Sequence, residues 1–391
     1  MKILHITTAF KRNEEDIITP WLVNLLQEQT KNSDVIVLTS GYGSVPKRQT
    51  FDKIHVRRFS YASKRMMKLT HDLTIQDYIS QHPLSVFLLP SFFITGAIEC
   101  FRIAKEKKID SIVVHWPFPL FFIAFPAKFL LNAKIISVFY GAELKLFKNK
   151  FRMAKFIFKF ICKNSDSLVA ISNSTGEEVK ELSGAENVDV IPYGVQMKEE
   201  RDFRKDKLIL TVGRQVERKG TEYLIKAMKL VREDYRLAVI GEGPELPRLK
   251  RIVNEENLGG RVSFEGWVRD DELDSMYERA KIFVLPAIYD SRGETEGLGM
   301  VLVEAMAHGA VCVATGIGGI TDIIKDNETG LFSEEKNPED IARKIERIID
   351  DNELYARIQN KAFDFVARIF SIASINERYI ELLKGGRNEK K

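Results

Sequence analysis

The chain has 391 residues, of which 45% are apolar and 29% charged, with a formal net charge of +4; at roughly 150 residues per domain this is an ordinary globular composition for two or three domains. Its three cysteines, Cys100, Cys162 and Cys312, form no CxxC and no His/Cys cluster, which argues against a disulfide framework or a structural zinc and for a reducing, cytoplasmic compartment. Residues 1–195 hold 26 Lys and Arg against 18 Asp and Glu, and the remainder 33 against 37, so the first half is basic and suits an anionic surface.

In chain order, Lys2-Ile3-Leu4-His5-Ile6-Thr7 is too short for a signal-peptide core and reads as a first strand. Further strands are expected at 35–39, 112–115, 134–139, 167–171 and 188–191, with helical patterns between them such as 20–30 and 175–182. The apolar stretches 84–98 and 118–131 each fall short of the roughly 20 residues a membrane span needs, and each is interrupted by Pro. Within 145–163, Lys145, Lys148, Arg152, Lys155, Lys159 and Lys163 recur at steps of three and four. Phe147, Phe151, Met153, Ile157, Phe158, Phe160 and Ile161 cover the other side, as in a helix lying on an anionic membrane. Pro192-Tyr193-Gly194 closes the series, and the polar stretch 196–206 reads as a linker.

The alternation then restarts, with strands expected at 208–212, 236–240, 262–264, 282–285 and 311–315. Helices are expected at 223–231, 244–256, 271–279 and 298–307. After Asn327-Glu328-Thr329-Gly330, read as a turn, only helical patterns follow: 338–349, 354–366 and 372–383. The tail from Gly385 reads as disordered. Apolar strands alternating with helices imply parallel sheets covered on both faces. The fold class is therefore α/β: two Rossmann-like domains facing a cleft, 1–195 and 207–369, with a last helix (370–385) crossing back to the first.

Two clusters carry chemistry. Gly213-Arg214-Gln215-Val216-Glu217-Arg218-Lys219-Gly220 follows a strand, which puts Arg214 and Lys219 where a diphosphate would sit. The order Lys-Gly-Thr rules out a P-loop. In Glu294-Thr295-Glu296-Gly297-Leu298-Gly299-Met300-Val301-Leu302-Val303-Glu304, two glycines at a helix start let backbone N–H groups approach a phosphate. Glu304 lies roughly 9 Å along that helix at 1.5 Å per residue, which suits contacts at two ends of one extended ligand. Gly241-Glu242-Gly243 lacks the third glycine of a dinucleotide fingerprint.

Together these clusters resemble the donor site of glycosyltransferase family 4, the retaining enzymes of GT-B fold. Glu296 and Glu304 match its Glu-x7-Glu signature, and the Gly-Arg…Lys-Gly loop matches as well. Val239-Ile240-Gly241-Glu242-Gly243-Pro244, Val262-Ser263-Phe264-Glu265-Gly266-Trp267-Val268, Gly318-Gly319 and Thr329-Gly330-Leu331-Phe332 also fit. The resemblance implies that Arg214 and Lys219 neutralise the diphosphate, beside Gly213. It implies that Glu296 with Gly297, Leu298, Gly299, Met300 and Val301 holds the sugar and phosphates, that Glu304 binds ribose hydroxyls, and that the Val268 backbone lies near the base.

In the first half, Val113-Val114-His115-Trp116 resembles the family's strand ending in a histidine beside the donor sugar. Phe139-Tyr140-Gly141-Ala142-Glu143 resembles a His-Gly-x-Glu/Asp segment with Tyr140 in place of His. The first loop carries Lys11 and Arg12 where the family often has Gly-Gly, so Lys11, Arg12 and Glu143 are candidates for the acceptor side.

The expected activity is retaining transfer of a hexose-type sugar from a UDP- or GDP-linked donor to a lipid-linked, glycan or small-molecule acceptor. No metal and no cofactor are expected, since Arg214 and Lys219 supply the charge. The expected partners are the nucleotide sugar and an anionic membrane met through 145–163 at its cytoplasmic face, with no nucleic acid. An epimerase on the same fold, or a sugar-nucleotide-binding protein without catalysis, remains an alternative.

Overall fold

The computed structural model describes the whole chain except residues 17, 145–146, 148–151, 198–200, 202 and 386–391, and gives no side chain for 142 and 152–154. Lys145, Lys148, Lys150 and Phe151, the side chains of Arg152 and Met153, part of the expected linker and the tail beyond 385 therefore lie outside the described residues. The chain divides into two compact units. One is Met1–Gly194 together with the chain from Ile375 onward, and the other is Val195–Ser374.

Among the described residues the first unit has eight strands: β1 (Lys2–Ile6), β2 (Asp34–Ser40), β3 (Arg48–Phe51), β4 (Ile54–Phe59), β5 (Ser111–His115), β6 (Lys134–Phe139), β7 (Ser167–Ala170) and β8 (Asp189–Val190). They lie in the order β3-β4-β2-β1-β5-β6-β7-β8. All pairs are parallel except β3 with β4. The helices are α1 (Pro20–Gln29), α2 (Ile75–Gln81), α3 (Leu89–Lys107), α4 (Pro117–Leu131), α5 (Arg152–Asn164) and α6 (Asn173–Ser183), with a 3-10 turn Pro83–Leu88 leading into α3.

Alternate residues of one strand serve two cores, as a sheet covered on both faces requires. Val35 and Val37 of β2 pack with Phe10 and Leu22 beneath α1. Ile36 and Leu38 pack with Phe92 and Cys100 of α3, Phe121 of α4 and Ile161 of α5. The hairpin β3–β4 was not anticipated. Its β4 strand carries His55, Arg57 and Arg58, which hide the alternation. Arg58 is buried because its guanidinium donates to Lys11 O at 2.6 Å and to Pro46 O at 3.2 Å.

Among the described residues the second unit has six strands: β9 (Asp206–Val212), β10 (Arg236–Ile240), β11 (Val262–Gly266), β12 (Ala280–Leu285), β13 (Val311–Thr315) and β14 (Gly330–Ser333). The order is β11-β10-β9-β12-β13-β14, parallel throughout. Its helices are α7 (Thr221–Ala227), α8 (Leu246–Glu255), α9 (Asp270–Arg279), α10 (Met300–Ala307), α11 (Pro338–Asp350) and α12 (Asn352–Ile369). The last helix of the chain is α13 (Ile372–Lys384). Strand β14 corrects the expectation that only helices follow residue 330: four residues behind a turn are too few to show a period.

The helix starts are encoded locally. Asn337 accepts from the Asp340 N–H and Asp351 from the Leu354 N–H, each satisfying an otherwise orphaned donor. In both sheets the chain reverses direction about one strand, β1 or β9, and ligands favour the carboxyl ends of strands at such a point.

Candidate active site

In the second unit the loops leaving β9 and β12 are stitched together at the switch point. The Ile288 N–H donates to Arg218 O at 2.9 Å, and Ser291 Oγ donates to Glu217 at 2.9 Å. Gly220 has φ +63°, and a Cβ there would stand 1.9 Å from Pro286 O, so this junction admits glycine alone. Gln215, fully enclosed, braces the first loop from inside: its amide donates to Gly213 O at 2.7 Å and Ile240 O at 3.1 Å, and its carbonyl accepts from Thr221 Oγ1 at 2.8 Å.

That scaffold aims two cations at one carboxylate oxygen. Lys219 Nζ lies 2.6 Å from Glu296 Oε2, and Arg218 Nη1 donates to the same atom at 3.1 Å. Arg214 stands exposed at the loop's tip. Beside Glu296, the Thr295 hydroxyl is buried with no partner, an orphaned donor facing no protein acceptor. The loop then runs through exposed Gly297 and buried Leu298 to Gly299, whose φ of +85° opens α10 at Met300. Gly319 packs so closely behind it that a Cβ would lie 2.0 Å from Gly297 O.

Glu304, in the second turn of α10, receives a hydrogen bond on Oε2 from the Tyr277 hydroxyl at 2.8 Å. Burial raises its carboxyl above the usual range, against the Tyr277 bond and the pull of Lys219. Val268 is half-buried, two residues past β11, beside an exposed Trp267. Three of the predicted donor residues, Lys219, Glu296 and Glu304, thus belong to one charged cluster. Sequence reading missed Arg218, which takes part in the same pair as its neighbour, and Tyr277, whose helix is otherwise polar and gave no signal. Among the described residues no group of three or more His, Cys, Asp and Glu side chains is placed to hold a metal ion.

In the first unit, His115 ends β5 and is fully buried. Its Nε2 lies 3.0 Å from His5 Nδ1, its Nδ1 lies 2.6 Å from the Tyr140 hydroxyl, and His5 Nε2 lies 2.9 Å from Gln29 Oε1. Burial lowers His5 to about 4 and holds His115 well below the ordinary imidazole value, the latter helped by His5. Both rings are therefore neutral near pH 7. With Gln29 Oε1 accepting, each ring donates through Nε2 and accepts at Nδ1, and Tyr140 donates to His115. Both His115 nitrogens are thus occupied, and the half-buried end of the relay is the Tyr140 hydroxyl. Trp21 packs over this relay, with its ring 5.1 Å from Tyr140 and 4.6 Å from Tyr193.

The acceptor-side candidates are each engaged. Lys11 pairs with Glu14 at 2.6 Å, and Arg12 with Asp16 at 2.6 Å and Asp72 at 3.1 Å. Glu143 is enclosed: Oε1 accepts from the Tyr140 N–H at 2.8 Å while Oε2 has no partner. Burial lifts its carboxyl to about 7. Side chains of the expected interfacial helix are described at Phe147 and from Lys155 onward. Phe158, Ile161 and Cys162 of α5 are buried in the first unit's core together with Phe147, so this apolar face covers the sheet. Phe156 is the one exposed apolar residue of α5 among those described.

This architecture and cluster define a GT-B glycosyltransferase. Residues 195–365 match the family model described as glycosyl transferases group 1, and residues 20–199 match that of Glycosyltransferase Family 4. The chain belongs to that family. It is similar to an uncharacterized glycosyltransferase of Methanocaldococcus jannaschii, 29% identical over 68% of this chain and 72% of the relative. It is also similar to the N-acetyl-alpha-D-glucosaminyl L-malate synthase of Bacillus anthracis, 25% identical over 79% and 82%. The fold is shared with a Thermosynechococcus elongatus sucrose-phosphate synthase (TM-score 0.72, 20% identity, 97% and 98% covered). It is shared as well with Anabaena HepE solved with UDP (TM-score 0.71, 17% identity, 98% and 99% covered).

Proposed function

We propose that the enzyme transfers a hexose-type sugar, with retention of anomeric configuration, from a UDP- or GDP-linked donor. The observation that carries this reading is the convergence of Lys219 and Arg218 on Glu296 at the switch point of the second sheet, next to the opening of α10. In the proposed complex Lys219, with Arg214 and Arg218, neutralises the departing diphosphate. The N–H groups from Gly297 to Val301 and the α10 dipole receive phosphate oxygens. Glu296 accepts from sugar hydroxyls, Glu304 from the ribose, and the Val268 backbone borders the base.

Catalysis then rests on stabilising the leaving charge and on positioning, with the acceptor attacking from the face that the diphosphate leaves. The cations supply the charge that a metal supplies elsewhere. In the first unit His115, locked in its relay with Tyr140, is the proposed catalytic histidine, and Lys11, Arg12 and Glu143 are the proposed acceptor-side residues.

Relatives support a nucleotide-sugar donor. A Mycobacterium tuberculosis relative, 23% identical over 70% of this chain and 75% of its own, is named a GDP-mannose-dependent phosphatidylinositol monomannoside mannosyltransferase. HepE was solved with UDP-glucose. The first of these names favours a lipid-linked acceptor and a role in envelope glycan or glycolipid synthesis. The three unpaired cysteines fit a cytoplasmic setting.

The test is incubation with UDP- and GDP-hexoses. Slow release of the nucleoside diphosphate, and a product whose anomeric proton coupling keeps the donor's configuration, are expected. Release of a free epimer, binding without turnover, or an inverted product would each replace this reading.

A further inference from the structure

The first unit leaves an apolar surface uncovered. The helical run Pro83–Lys107 is 25 residues long and apolar enough by length and composition to cross a membrane, yet 17% of its apolar window is buried. Its inward face, Phe92, Gly96, Cys100 and Ile103, is packed in the core, and its last turns carry Lys105, Glu106 and Lys107. The outward face carries Leu84 (80% exposed), Phe87 (77%), Ile94 (60%) and Ile98 (51%), a stripe that a soluble helix would make polar.

The stripe continues onto two neighbours. Gly96 lets α4 approach so closely that an added Cβ would meet Ile123 at 2.8 Å, and Phe129 near the end of α4 is 79% exposed. Phe122 of α4 stacks on Phe160 of α5 at 6.4 Å, one turn beyond the exposed Phe156.

We infer that this three-helix face, and not α5 alone, docks on an anionic lipid bilayer. Charge complementarity selects that occupant. Across residues 83–98, 117–131 and 152–164 there is no Asp or Glu, and the charges are Lys128, which pairs with Asp166, and Arg152, Lys155, Lys159 and Lys163. Lys155, Lys159 and Lys163 are exposed on α5. A second copy of the chain on this face would bring these cations against each other, whereas anionic headgroups pair with them while the stripe enters the acyl boundary.

Sedimentation with vesicles tests this without any need for catalysis, so its outcome is independent of the donor and stereochemistry proposed above. The protein should sediment with vesicles of phosphatidylglycerol and phosphatidylcholine in equal parts at low salt, and stay in solution with phosphatidylcholine alone. The triple variant Lys155→Glu, Lys159→Glu, Lys163→Glu should lower the partition coefficient by about a hundredfold or more, at about fivefold per charge. Phe87→Ser with Ile94→Ser, which keeps every charge, should lower it too, and an unchanged melting transition shows these variants folded. Recovery of the wild type in the supernatant with anionic vesicles overturns the inference. So does binding indifferent to salt and to the lysines, and so does a dimer in sedimentation equilibrium that the Phe87/Ile94 variant dissolves.

Discussion

Lys219 Nζ and Glu296 Oε2 stand 2.6 Å apart, on loops that leave two adjacent parallel strands, and Arg218 shares the same oxygen. Under the proposed donor binding, a diphosphate arriving at this point would compete with Glu296 for both cations. Donor binding thus exchanges one anionic partner for another and releases the carboxylate to accept from sugar hydroxyls. Lys219→Ala should lower kcat by about a hundredfold or more, the scale found when one preorganised charge stabiliser is removed. Glu304→Ala should lose most turnover as well, and both should lose the melting-temperature rise that UDP or GDP gives the wild type. An undiminished rise in both variants would show that the nucleotide binds elsewhere.

Transfer should persist in excess EDTA, since Lys219, Arg218 and Arg214 supply fixed positive charge at the leaving group. Activity that collapses on chelation and returns with Mg²⁺ or Mn²⁺ would assign that charge to a metal instead.

The enclosed carboxyl of Glu143 gives a stability signature. Its acid form persists to about pH 7 in the folded protein against an ordinary value of 4.5, chiefly because burial disfavours the anion. The folded state therefore holds the proton more tightly than the unfolded one. This contribution is complete below about pH 4.5, declines as pH rises, and is gone once pH passes 7. At 1.36 kcal/mol per unit the span amounts to about 3 kcal/mol. Glu143→Gln keeps an oxygen for the Tyr140 N–H and removes the charge. It should stabilise the first unit at about pH 8 and leave it unchanged near pH 4.5. In a Trp267→Phe background the remaining tryptophans, Trp21 and Trp116, report urea unfolding of that unit alone. Equal stability of the two proteins at both pH values would place Glu143 in contact with solvent.

The parts of the fold written as uninterrupted apolar strands were legible in sequence, because a parallel strand buried on both faces leaves a run such as Ile282–Leu285 or Ile112–Val114. Strands β3 and β4 were not, since Arg58 is buried for its hydrogen bonds and disguises the pattern. The donor loops could be placed because chemistry and spacing coincide there. Which cation faces Glu296 could not: Arg214 and Arg218 differ only in where the loop turns, and Gln215, an uncharged residue, sets that turn from within. His115 was placed at its strand end, but its enclosure depends on His5 and Gln29, which lie 110 and 86 positions away and announce nothing locally. From Lys155 to Lys163 the amphipathic pattern is real in period. It did not say whether the apolar side meets lipid or the rest of the protein, because a sheet and a bilayer ask the same of a helix.

The chain makes the second unit in the middle of making the first, for the stretch from Ile375 onward belongs to the first unit. Tyr379 is 3% exposed there, Lys134 Nζ donates to Leu382 O at 3.2 Å, and Arg378 donates to Val190 O. During synthesis the ribosome therefore releases Val195–Ser374 as a continuous, foldable domain while the earlier one still lacks a helix. Trp21, Tyr140 and Tyr193, which line one pocket with Ile375 and Tyr379, stay open on that side until α13 emerges. A protease cut just after residue 374 would leave the second unit its full sequence and strip the first of the helix it receives last.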